Sequence, residues 1–112
     1  MISENYKAKI KNSITAHFNS MGITDEEQIN AMIPEAITAI TDEIKKIQEI
    51  LNGDDLSELG FHTHTLKGVL LNMGLKEDAD KFKEIKHLFE EGKTQEEVKQ
   101  ITKERISIFF ED

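Results

Sequence analysis

The sequence predicts an all-α fold: an antiparallel up-and-down four-helix bundle with an additional N-terminal helix. Apolar residues recur at spacings of three and four along nearly the whole chain, and glycines and capping pairs punctuate them at helix-length intervals. No window alternates as a strand would. A single proline and many Ile, Glu and Lys residues agree with this class.

Each element follows from that pattern. Tyr6, Ile10, Ile14, Phe18 and Met21 outline a first helix over roughly residues 3 to 21, which Gly22 stops. Thr24 with Glu27 fits a capping box. Ile29, Ile33, Ile37, Ile40, Ile44, Ile47 and Leu51 then give an almost unbroken seam, in which Pro34 is expected to kink or split the helix. Asn52, Gly53 and Asp54 turn the chain. Asp55 with Glu58 can cap the next helix, whose seam is Leu59, Thr63, Leu66, Leu70 and Met73 before Gly74 closes it. Leu75, Ala79, Phe82, Ile85, Leu88 and Phe89 read as one further helix ending at Gly92. Thr94 and Glu97 cap the last, which carries Val98, Ile101, Ile108 and Phe109. Short loops between the last four helices make them antiparallel neighbours. The 112 residues form a single domain, with residues 1–22 as the extra helix and 24–111 as the bundle.

Composition excludes several function classes. A net charge of −8 without a basic stripe argues against nucleic acid. No run of 18 apolar residues spans a membrane and the N-terminus lacks a secretory apolar region, so a cytoplasmic protein is expected. The absence of cysteine removes disulfides, thiolate metal sites and thiol chemistry.

Two of the four histidines, His62 and His64, lie in GFHTHTLKGVLLNMG on the third predicted helix. At about 100° per residue the core stripe centres roughly 140° from His64 and about 60° from His62. His64 is therefore expected in solvent, and His62 on the flank of the core. Two helical ligands for one ion need a spacing of three or four, which HxH does not provide, so no metal site is expected. His17 and His87 have no partner motif. The His64 face holds Gly60 one turn before, Lys67 and Gly68 one turn after, Leu71 two turns on, and Phe61 at its margin. Glycine inside a helix costs about 0.5–1 kcal/mol against alanine. Either tight packing of a neighbouring helix or close approach of another body accounts for Gly60 and Gly68. A lone exposed histidine beside lysine is ordinarily just solvated surface.

The run HTLKGVLLNMG, His64 to Gly74, resembles the signature of histidine phosphotransfer (HPt) domains, approximately HxLKGxxxxxG, without a gap. The likeness extends to the bundle, covers residues 25–111 and leaves out the first helix. Phosphotransfer domains of chemotaxis-type kinases share a similar motif. The resemblance implies that His64, and not His62, is phosphorylated. Its Nε2 would take a phosphoryl group from the aspartyl phosphate of a response-regulator receiver domain, or from a histidine kinase, and pass it to another receiver. Lys67 would offset phosphoryl charge and Gly68 would leave room for the partner's loops. Gly60 is assigned the same clearance on geometry alone. Phe61 and Leu71, with Leu75, would form an apolar docking rim. Many family members have Ser or Thr and small residues after the Lys-Gly pair; here Val69, Leu70 and Leu71 follow, and Leu71 makes the docking face more apolar.

Phosphoryl transfer needs positioning, a divalent ion and charge neutralisation. With no carboxylate cluster foreseen beside His64 and no GxxxxGK[ST] loop, no cofactor is expected here; Mg2+ is expected on the receiver partner. The chain would be a carrier and not a kinase. A competing class is a non-catalytic HPt-like interaction module that binds a kinase or receiver, against which the presence of His64 and Lys67 counts. A ligand-binding or metal-storing bundle lacks the inward carboxylates and histidines it would need. The first helix is read as packing over the bundle's open end or one groove, leaving a monomer.

Overall fold

The computed structural model describes residues 2–111, and among them every regular element is helical. The order is α1 (Glu4–Ser20), α2 (Glu26–Leu51), α3 (Leu59–Asn72), α4 (Lys76–Asp80), α5 (Ile85–Glu90), α6 (Gln95–Ile106) and a closing 3-10 turn, Ser107–Phe109. Helix α3 packs on α2, α4 and α5, while α6 closes the bundle against α2 and α5. At 1.5 Å per residue α2 alone is about 39 Å long, and it sets the long axis of a molecule measuring 47 × 25 × 22 Å.

Three helix stops rest on glycine for one stereochemical reason. Gly22, Gly74 and Gly92 have φ of 83°, 81° and 88°, the left-handed region that a Cβ disfavours. In each case the next amide reaches back to close the helix, as Ile23 does to the Phe18 carbonyl, Leu75 to Leu70 and Lys93 to Leu88. Gly74 is doubly constrained, because a Cβ there would sit 3.2 Å from that of His17.

The predicted seams of α2 and α3 form the core. Ile40, Ile44 and Ile47 are fully enclosed, as are Leu59, Leu66 and Leu70. Two threonines join them because their hydroxyls donate to carbonyls of their own helices, Thr63 to Leu59 (2.9 Å) and Thr102 to Val98 (2.8 Å). The expected capping box of α6 is present, with Thr94 and Glu97 each accepting from the other's amide.

Several expectations need correction. Pro34 does not split α2, which runs unbroken from Glu26 to Leu51. Pro34 and Asn30 lie on the exposed face, so the carbonyl that loses its partner can turn to water. Asp25 caps α2 in place of Thr24, accepting from the Glu27 amide at 3.0 Å. Asp55 accepts from the Ser57 amide at 2.9 Å and so shapes a turn, and α3 begins at Leu59 without a side-chain cap. The single helix expected over 75–92 is two short ones with a break at Lys81–Glu84. No glycine or proline marks that break. Tertiary contacts make it: Phe82 is buried and stacks on Phe109, with ring centroids 6.0 Å apart. The last helix stops at Ile106, and Met21, placed in the seam, is 55% exposed.

Helix α1 contributes directly to the common core. Tyr6, Ile10 and Ile14 are buried, and Tyr6 meets the Phe109 ring edge-on at 4.8 Å. The Ser3 amide donates to the Phe109 carbonyl and the Ser13 hydroxyl to that of Met73, each at 2.9 Å. Its strongest polar tie is Asp78 of α4, buried and receiving the Tyr6 hydroxyl at 2.8 Å, Lys9 at 2.7 Å and Lys81 at 3.2 Å. Burial pushes the Asp78 carboxyl up, but hydrogen bonds from Lys9, Tyr6 and Lys81 outweigh it and hold the group below the ordinary carboxylate range. Burial and the bond to Asp78 push the Tyr6 hydroxyl the opposite way, upward.

Candidate functional site

Helix α3 buries Leu59, Thr63, Leu66 and Leu70, which leaves the opposite side facing out. His64 stands there with 70% of its side chain accessible. Its Nδ1 lies 2.9 Å from Glu84 Oε1, contributed by the break before α5. The His64 hydrogen bond, opposed by some burial and reinforced by the imidazole, Lys86 and Lys67 charges, holds the Glu84 carboxyl below its ordinary range. An ionised carboxylate can only accept, so Nδ1 carries a proton, and whenever the ring is neutral its lone pair is on Nε2. That tautomer is the one a nucleophilic Nε2 requires.

The surroundings divide the residues expected to accompany His64. Lys67 is half-buried one turn along. A Cβ at Gly68 would meet nothing within 4 Å, so this glycine does open the surface. Phe61 and Leu71 are 68% and 41% exposed and flank the face as expected. A Cβ at Gly60 would come 4.0 Å from that of Ile85, an ordinary contact, so α5 borders this glycine on one side while it stays, like Gly68, half-buried. Leu75 is excluded from the rim, because it is buried in the core beneath the Gly74 turn.

His62 points elsewhere. Only 12% of its side chain is exposed; its Nδ1 lies 2.8 Å from Glu43 Oε2 on α2, and its Nε2 lies 3.7 Å from Glu58. The Phe61 and His62 rings meet edge-on with their centroids 5.1 Å apart. His62 therefore bridges α3 to α2, while His64 bridges α3 to the α4–α5 break. His17 packs edge-on to Phe18, and His87 stands 3.9 Å from Glu90. Among the described residues no three His, Asp or Glu side chains gather as metal ligands do.

Sequence reasoning missed Glu43 and Glu84. For Glu43 a signal existed: a carboxylate between Ile40 and Ile44 sits at the margin of a buried seam and requires a partner. Glu84 had none, because its reach to His64 depends on the helix break that no residue type announces.

No helix among the described residues is long and apolar enough to cross a membrane. No curated protein and no solved structure matches the chain. The family model of the Hpt domain, however, matches residues 31–108, which take in most of α2, all of α3 to α6 and the His64 face, and leave α1 outside. With well over half its length matched, the chain belongs to the Hpt domain family, the phosphotransfer modules of two-component signalling.

Proposed function

We propose that this protein is a phosphorelay intermediate that carries a phosphoryl group on His64 Nε2 and exchanges it with the aspartate of receiver domains. The observation that supports this most is the His64–Glu84 hydrogen bond, which in the neutral ring puts the lone pair on Nε2 of an exposed side chain. In the forward step the Nε2 lone pair attacks phosphorus of the receiver's aspartyl phosphate. An N–P bond forms, the P–O bond to the aspartate breaks, and the carboxylate leaves with the electron pair. No proton has to move. The imidazole keeps its Nδ1 proton and becomes cationic, and the Glu84 carboxylate lies against the side where that charge develops. The reverse step regenerates the neutral ring.

Lys67 supplies a cation one turn from the acceptor to offset the phosphoryl oxygens. Gly68 keeps that side clear, and Phe61 and Leu71 offer apolar contact to the receiver. In-line transfer also calls for a divalent ion, which in this reading Mg2+ on the receiver provides. Incubation with a phosphorylated receiver and Mg2+ tests the proposal. Acid-labile, alkali-stable label is expected on the wild type and none on His64→Gln; equal labelling of that variant would remove His64 from the reaction.

A further inference from the structure

The Lys81–Glu84 break has no helical hydrogen-bond ladder, yet each of its last three residues is tied down. Phe82 is sunk into the core against Phe109. The Lys83 carbonyl accepts from Arg105 Nη1 on α6 at 2.9 Å, and the Lys83 ammonium pairs with Glu91 just after α5. Glu84 is then delivered to His64. Arg105 is the one arginine among the chain's 14 basic residues, and it is half-buried while most of the lysines are exposed. A rigid planar fork can brace a carbonyl and face a carboxylate together, which a flexible ammonium does poorly.

We propose that Arg105 is a positioning residue for the acceptor: by bracing the Lys83 carbonyl it fixes the α4–α5 break so that Glu84 holds His64 in the form with Nδ1 protonated and Nε2 free. This rests on the reading of His64 as the phosphoryl acceptor. Arg105 touches neither His64 nor the site of phosphoryl attachment and acts through the backbone of residue 83. Glu91 completes the brace. It pairs with Lys83, and its charge favours that of Arg105, where burial works against it.

The imidazole nitrogens, observed by 15N NMR in the intact protein at alkaline pH, report the tautomer without any partner. The wild type is expected to show His64 protonated at Nδ1. Glu84→Gln and Arg105→Gln should both shift it toward the mixture of an unconstrained ring, and Arg105→Lys should fall between. If Arg105→Gln does not fold, Arg105→Lys carries the test, and a wild-type tautomer in that variant, with no hydrogen bond reaching the Lys83 carbonyl, would overturn the proposal. Transfer from a phosphorylated receiver should slow roughly tenfold in Arg105→Gln, as expected for losing one charged hydrogen bond, with no further loss when Glu84→Gln is added. An unchanged tautomer, or losses that multiply in the double variant, would contradict the mechanism. If instead the tautomer shifts but His64→Gln is labelled like the wild type, the positioning stands and the assignment of His64 as acceptor fails.

Discussion

At the level of single residues the proposed relay divides the work between the two nitrogens of His64, with Nδ1 held by Glu84 and Nε2 taking the phosphoryl group. Helical phase was enough to place His64 in solvent and His62 at the core margin, because angular position on a helix is fixed by residue number. What phase could not supply is the partner of each ring. Glu84 lies 20 positions from His64, and Glu43 lies 19 from His62. Glu84→Gln is expected to slow phosphoryl transfer roughly tenfold, the equivalent of a charged hydrogen bond, with the circular dichroism unchanged. A slower rate is also expected for Lys67→Ala with melting temperature preserved, since its side chain makes no ion pair among the described residues. Loss of folding in that variant would show that Lys67 supports the core instead of the phosphoryl group.

At the level of elements, the glycine stops and the last capping box were legible, the caps of α2 and α3 were misread by a residue or more, and the boundary made by tertiary contact gave no signal. Gly22, Gly74, Gly92 and the Thr94–Glu97 box announce themselves, because each satisfies backbone groups within a few residues. The break at Lys81–Glu84 is held from outside by Phe109, Arg105 and Glu91, so no local signal precedes it. The role of α1 was similarly hidden, since Tyr6 and Lys9 acquire meaning only beside Asp78. Because the folded pKa of Asp78 is depressed, its contribution is complete above the ordinary carboxylate value of about 4 and is lost as pH falls through the folded value. Asp78→Asn should therefore lower stability by about 1–3 kcal/mol at neutral pH. In denaturant titrations that difference from the wild type should shrink as the pH is brought below about 4. Gly74→Ala should cost at least about 1 kcal/mol from its left-handed backbone alone, with crowding against His17 added.

For the molecule as a whole, one core runs from Ile2 and Tyr6 to Phe109, so α1 is enclosed with the bundle although the family match begins inside α2. The apolar face of α1 is spent on that core, which predicts a single-chain mass by sedimentation equilibrium at neutral pH. A dimer would mean that exposed apolar side chains such as Met21, Met32 or Leu71 self-associate. On this scaffold the residues assigned to phosphotransfer in the proposed function share one face: the exposed His64, the Glu84 carboxylate at its Nδ1, Lys67 one turn away and Gly68.

In the proposed relay this face receives the phosphoryl group at one atom. After transfer from a phosphorylated receiver, 31P and 15N NMR of the labelled protein should place the phosphorus on Nε2 of His64, with Nδ1 still protonated. Phosphorus bonded to Nδ1, or carried by His62 or any other residue, would contradict the account.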